Sequence, residues 1–383
     1  MSLKLQSKTE FPEAPSAEIA PRSPSLAQAL GVVVLSYIVF LLSLWLFGGH
    51  YWTMVSGKFG DNPSYLEAAN AIRYWQFSGI TVKQFWGVSY AMAAVSLVTR
   101  VSMPAALLIV CIGSSLVAIW LCHKLWGGWI TAFFALLSFD WFQRTLIGGA
   151  EPLFIALLLG SFLALRRDRW LLASVLASLA TVVRPFGIFA LAGLAIHLLY
   201  RKRVRECAAA TVMSLAIGAL YTWPLLHYFG NPFANVSAYQ RSDWHGGLPF
   251  SFPFWGILRN TFPLNAPTTN LVLTWGWILF VLAGIAVAVR SGDLRNYAID
   301  HTAEACFVVL CFLALYSYDA PEWARSNFPR FALPMLPWTV FFLRRYLPEK
   351  RSVVVVLAFV TPTLAAASAV GIRNVAALLS GHH

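Results

Sequence analysis

The sequence predicts an all-α, polytopic membrane protein, and three observations predict it. The 383-residue chain is 58% hydrophobic and only 11% charged, with a mean hydropathy of +0.66, far more apolar than a water-soluble domain of this length. Apolar runs of roughly 16–22 residues recur along its whole length, each long enough to cross or nearly cross a bilayer. Short basic clusters separate the runs: Arg166, Arg167 and Arg169; Arg201, Lys202, Arg203 and Arg205; Arg290 and Arg295; Arg344, Arg345, Lys350 and Arg351. That is the positive-inside pattern of cytoplasmic loops. It accounts for a net charge of +12 without nucleic acid, whose binding needs a basic face on a soluble domain.

The elements follow in chain order. Residues 1–28 are polar and rich in Pro, Ser and Glu, the composition of a disordered cytoplasmic tail. They are too mixed in charge for the start of a cleaved signal peptide, so the first apolar run, Leu30–Phe47, reads as a retained span. Residues 29–373 form one transmembrane unit, followed by a short tail over 374–383. With the first tail in the cytoplasm, Gly48–Met103 is an exoplasmic loop. Within it Asn62 is a good helix cap, Pro63 suits the first helical position and Glu67 favours the helix dipole. Tyr65, Leu66, Ala69, Ile72 and Trp75 then recur at helical spacing, which predicts an interfacial amphipathic helix from Pro63 to Phe77. Phe85–Thr99 reads as a second, re-entrant or interfacial helix.

The remaining spans are Pro104–Cys122, Trp126–Ile147, Pro152–Leu165, Trp170–Val183, Phe186–Tyr200, Cys207–Phe229, Asn270–Val289, Thr302–Tyr318, Phe331–Leu343 and Ser352–Gly371. With the first, they make about eleven transmembrane helices, several short enough to surround a cavity. Cys111, Cys122, Cys207, Cys306 and Cys311 lie in or beside apolar runs without any C-x-x-C pair, and read as small packing residues. No metal site and no cofactor are expected from these residues.

Charges near membrane depth are costly and tend to be functional. On the predicted exoplasmic side they are Asp61, Asp140, Arg144, Glu151, Arg184, Asp243, Asp319, Glu322, Arg325 and Arg330. The basic loops have no comparable set of acids, so one outward-facing site is expected. Asp61 sits one position before the expected cap, which favours a catalytic or substrate-binding role over capping. Glu151 is either a second acid of that site or an acid placed to suit a helix N-terminus. Arg184, before Pro185, suits a phosphate or snorkels to the interface. Arg325 and Arg330 are either phosphate clamps or solvated loop ends. Tyr65, Trp244 and His245 complete the substrate-binding candidates. Trp244 suits either a sugar ring or the membrane interface, and His245 either a ligand or a structural contact. The sequon at Asn235 matters only in a glycosylating compartment.

These motifs, in this order, resemble the GT-C superfamily of integral-membrane glycosyltransferases. An acid follows the first span, with an interfacial helix behind it. Then come Glu151-Pro152-Leu153-Phe154, the run from Arg166 to Ala173, Leu179 to Gly187 with Arg184-Pro185, and Arg330-Phe331-Ala332-Leu333-Pro334. The chain is similar over Leu30–Tyr346 to bacterial PIG-V-like and dolichyl-phosphate-mannose mannosyltransferase-like proteins. The resemblance implies a polyprenyl-phosphate-sugar donor carrying mannose or another hexose or pentose. It also implies a glycan, lipid or protein acceptor, and transfer at the outer face of a bacterial inner (plasma) membrane. Asp61 takes the place of the family's loop acid, as base or acceptor-positioning group. Many members carry two adjacent acids there. Here Asn62 follows, which argues against a paired-carboxylate or metal-dependent version. A transporter or lipid flippase is the competing expectation, though its charges usually lie at the bilayer midplane between two related halves.

Overall fold

A computed structural model describes residues 23–80, 82–242, 250–261, 271–320 and 323–371, with the side chains of Lys58, Ser242 and Arg325 excepted. Most of residues 1–28 and all of 374–383, the expected tails, lie outside the described residues. The described end of the first tail is already ordered. Ser25 caps the first helix, its side chain accepting from Gln28 while Gln28 reaches back to the Ser25 N–H, so the helix starts four residues before the expected span.

The described chain is helical from end to end. Its helices are α1 Leu26–Leu46, α2 Tyr51–Thr53, α3 Asn62–Tyr74, α4 Gly87–Thr99, α5 Met103–Trp126, α6 Gly128–Leu136, α7 Phe139–Leu146, α8 Glu151–Arg166, α9 Trp170–Val183, α10 Gly187–Tyr200, α11 Val204–Phe229, α12 Ala234–Ser242, α13 Trp255–Thr261, α14 Leu271–Arg290, α15 Asp293–Asp300, α16 Thr302–Ser317, α17 Phe328–Ala332, α18 Leu336–Phe342 and α19 Arg351–Val370. Among the described residues the only β-type pairing is a single bridge between Phe250 and Tyr318.

Among the described residues five helices, α1, α5, α11, α14 and α19, are long and apolar enough to cross a membrane. Helices α4, α9, α10 and α16 are shorter and apolar, and α7 meets α8 at 105°. Two expected spans are broken. Trp126–Ile147 becomes α6 and α7, because Ser138 leaves the helix and caps α7 by accepting from the Trp141 N–H. Phe331–Leu343 becomes α17, a 3₁₀ turn over Leu333–Met335 and α18. Pro329, Pro334 and Pro337 each remove a backbone donor there. Helix α15 falls inside what reads in the sequence as a basic loop.

Helix α8 lies at the centre between α5 and α9; α1 packs on α19, and α10 on both α9 and α16. Trp338 of α18 meets Trp126, Phe162 and Phe307 at ring distances of 5.2, 5.6 and 5.3 Å, joining α5, α8 and α16. Lipid is as apolar as these rings, so helices in a membrane associate through packing and interhelical hydrogen bonds of roughly 0.6–2 kcal/mol each. Such bonds recur here: Tyr37 with Ser115, Gln143 with the Ala365 carbonyl (2.9 Å), Ser161 with the Ala173 carbonyl (2.9 Å) and Ser174 with the Ala210 carbonyl (3.0 Å). The alternating course of the helices gathers Asp61, Glu151, Arg184 and Arg330 at one end and Arg166, Arg201 and Arg203 at the other.

Candidate functional site

The site begins with a cap that does not cap. Helix α3 starts at Asn62, so Asp61, not Asn62, occupies the N-cap position, yet its side chain makes no capping bond. Asn62 is wholly buried. Its amide donates to the carbonyls of Met54, Val55 and Ile147 at 3.4, 3.3 and 3.1 Å, which pins the head of α3 to the end of α7. With that anchor made, the Asp61 carboxylate is free to turn elsewhere.

It turns to Arg330 and Gln84. Arg330 Nη2 donates to Asp61 Oδ2 (2.5 Å) and Gln84 Nε2 to Asp61 Oδ1 (3.0 Å). Arg330 Nε donates to Glu151 Oε1, and Arg184 Nη2 donates to the same oxygen. Two carboxylates and two guanidiniums, drawn from four separated stretches of chain, thus form one cluster. Glu151, Arg184 and Arg330 are 3%, 7% and 8% exposed, so their charges persist only because they face one another. Both arginines also lie over the Phe331 ring, 5.2 and 5.7 Å from its centre.

Local sequence explains each placement. Glu151 opens α8 with Pro152 behind it, where the helix dipole favours an acid. The turn before it needs glycine twice. Gly148 has φ +136°, and a Cβ there would sit 2.7 Å from Asn62 Oδ1; one on Gly149 would sit 2.6 Å from Glu151 Oε2. Arg184 is extended, as a residue before proline should be, and this ends α9 with its side chain turned into the bundle.

Asp61 lies outside the spanning helices. Burial alone would raise its pKa; Arg330, Arg184 and Arg144 outweigh that, and hold the carboxyl below the ordinary carboxylate range. Asp61 is therefore ionised at neutral pH. Arg144 is the third cation. It is 9% exposed, and its Nε and Nη1 are buried with no hydrogen-bond partner among the described residues, as is Glu151 Oε2.

Of the cluster, Arg184 lines a cavity of about 340 Å³, and Gln84, the partner of Asp61, lines it too. Tyr65, Gln84, Arg184 and Tyr239 supply its polar edge, while Phe85, Phe186, Phe189, Tyr318, Trp323 and Phe331 supply an aromatic lining. Tyr239 donates to Gln84 Oε1 at 2.8 Å, so a continuous chain of polar contacts runs Tyr239–Gln84–Asp61–Arg330–Glu151–Arg184. A carboxylate joined through Gln84 and the arginines to an apolar, aromatic hollow can accept a proton from one substrate while the cations hold an anionic group of another.

Of the residues singled out in the sequence, Asp61, Glu151, Arg184 and Arg330 meet directly and Tyr65 lines the cavity. Arg325 lies in the π-helical turn Trp323–Asn327, its side chain outside the description. Trp244 and His245, with Asp243 and Glu322, fall outside the described residues. Asp319 does not join the cluster; it accepts from Arg259 (3.0 Å) and Asn260 (2.8 Å). The sequon residue Asn235 is 2% exposed, and its amide nitrogen donates to the Val82 and Gln84 carbonyls, which closes it to glycosylation. Gln84 and Tyr239 carry no charge, so their part in the site could not be read from the sequence. Comparison with family models, with curated proteins and with solved structures returns no match to this chain.

Proposed function

We propose that this protein is a glycosyltransferase that moves a sugar from a polyprenyl-phosphate carrier to a hydroxyl acceptor at the exoplasmic membrane face, with Asp61 as base. The observation that supports the reading is the joining of Asp61 to Arg330, and through it to Glu151 and Arg184, the last of which lines an aromatic cavity. The aromatic hollow suits a sugar and the start of an isoprenoid chain. Arg184, which faces that hollow, suits the phosphate.

In the proposed reaction the acceptor oxygen attacks the anomeric carbon while Asp61 takes its proton. The bond from that carbon to the phosphate oxygen breaks, and the lipid phosphate leaves with its negative charge against the guanidiniums. The resting ion pair makes Asp61 a weak base. A donor phosphate that engages Arg330 competes with Asp61 for it, and so returns basicity to the carboxylate when substrate is in place. In this reading the protein is a polytopic inner-membrane transferase of about eleven spans, with the shorter helices crossing a bilayer thinned around the cavity.

The test uses right-side-out and inside-out vesicles supplied with a polyprenyl-phosphate sugar and a lipid or glycan acceptor. Transfer is expected at the outer face, and Asp61→Asn should lower it by about 10² or more. Wild-type rates in that variant would remove Asp61 from the chemistry. A transporter or flippase is the second reading, favoured by a second, polar cavity at the opposite end of the bundle. It predicts movement of the lipid-linked sugar across the vesicle membrane without transfer.

A further inference from the structure

The second cavity has a volume of about 400 Å³ and lies at the basic end, between the ends of α8, α10, α15 and α16. Its wall is mostly polar: Arg166, Arg201, Arg203, His197, His301 and three carboxylates. The carboxylates are largely spent. Both oxygens of Glu304 accept from Arg166, at 2.6 and 2.8 Å, and Oε2 also accepts from Tyr297. Asp168 accepts from Arg203, which pairs with Glu206 as well. Asp300 is exposed beside His301.

The nitrogen donors are not all spent. Arg201 makes no ion pair among the described residues, and His197 Nδ1 is buried without a hydrogen-bond partner. His301 lies tilted against the Tyr297 ring, 4.9 Å between ring centres, and precedes α16, whose first turn, Ala303 included, lies at this end. Around the opening lie further cations, Arg167, Arg169, Lys202 and Arg205, all exposed. The outer surface of α10 beside them is bare and apolar, with Ile196, Leu199 and Tyr200 46%, 52% and 64% exposed.

We propose that this cavity binds a phosphate-bearing anion, with Arg201, His197 and His301 taking the phosphate oxygens. Basic pockets between membrane helices at the positive end receive the headgroups of anionic lipids. The apolar face of α10 provides a surface along which acyl chains of such a lipid run. The same oxygens could come from soluble phosphate. The site lies at the opposite end of the bundle from Asp61 and does not depend on the reading of that end.

The full chain is reconstituted in phosphatidylcholine nanodiscs with or without a small fraction of cardiolipin, and bound lipid is counted by native mass spectrometry. Retention of one cardiolipin per chain is expected. Arg201→Gln should weaken it about tenfold or more, the loss of a hydrogen bond to a charged group. Arg205→Gln removes the same charge outside the cavity and should weaken retention clearly less, by about fivefold at most. In a second arm, millimolar inorganic phosphate is added to nanodiscs of phosphatidylcholine alone. A rise in melting temperature in the wild type but not in Arg201→Gln, without cardiolipin retention, assigns the site to a soluble phosphate. The proposal is overturned if neither anion binds, or if Arg205→Gln weakens binding as much as Arg201→Gln, since then only surface charge acts. Arg201 is exposed, so its loss reads on binding rather than on folding.

Discussion

Two buried arginine–carboxylate clusters sit at opposite ends of this bundle, and they are built differently. At the basic end, Arg166 meets Glu304 with two parallel bonds, Tyr297 completes the carboxylate, and Arg166 Nη1 donates to the Leu125 carbonyl at 3.2 Å. One cation and one anion satisfy each other, and the product is a clasp between α8, α15 and α16. At the other end, two carboxylates face Arg184 and Arg330, while Arg144 Nε and Nη1 and Glu151 Oε2 are buried with no hydrogen-bond partner among the described residues. Buried charge is costly unless fully paired, by several kcal/mol per ion. A saturated pair therefore reads as architecture, and an unsaturated cluster beside a cavity reads as a place for a ligand.

The largest effect that sharpens this contrast is Glu151→Gln. It leaves Arg184 facing a neutral amide and Arg330 with Asp61 as its one carboxylate, and should cost about 3–5 kcal/mol, seen as a fall in the unfolding midpoint in detergent. The matching change at the basic end removes every partner together: Arg166→Met, Glu304→Leu and Tyr297→Phe. That triple variant should fold within about 2 kcal/mol of wild type and keep transfer activity, because an apolar replacement of a whole buried pair is often neutral. Collapse of the triple variant would break the distinction between the two ends.

Next in size is Gly149→Ala, whose Cβ would fall 2.6 Å from both Arg144 Cδ and Glu151 Oε2. Overpacking there should cost about 1–3 kcal/mol, measured by the same unfolding assay, with activity falling further than stability as the cluster shifts. Wild-type behaviour in both would mean that the turn yields freely.

The pH dependence of Asp61 comes third. Its folded pKa is depressed, so its contribution to stability is present above the unfolded value of about 4 and is lost as pH falls through the lower folded value. The difference in melting temperature between wild type and Asp61→Asn should be flat from neutral pH down to about 4 and shrink below it. A difference that fades between pH 7 and 5 would show that Asp61 is not held by arginine. Smallest is Tyr239→Phe, which removes one donor to Gln84 and should cost about 1 kcal/mol, or about fivefold in transfer. No change at all would cut Tyr239 and Gln84 out of the polar chain.

Much of the helical layout was legible because membrane helices are written in long apolar runs. Trp170–Val183 appears with the ends its apolar run marks, and α5, α14 and α19 differ from theirs by only a few residues. The failures are local and physical. Ser138 splits one run because a hydroxyl that accepts from the backbone competes with the helix. Two prolines, Pro334 and Pro337, divide Phe331–Leu343, where composition alone reads as continuous. Asn62 looked like a cap by type, but a wholly buried amide with three carbonyls to serve does better inside.

By itself the sequence determined the all-helical membrane class and that Asp61, Glu151, Arg184 and Arg330 are unusual, because a charge among apolar residues is conspicuous without knowing its neighbours. Only the tertiary structure decided which charges meet. Arg330 and Asp61 are 269 positions apart, and nothing local dictates that one guanidinium should serve both Asp61 and Glu151. Nor does anything local leave Arg144 Nε and Nη1 without a hydrogen-bond partner among the described residues, or recruit the neutral Gln84 and Tyr239. Pairing of buried charges is settled by where helices pack, and helix packing is a property of the whole bundle.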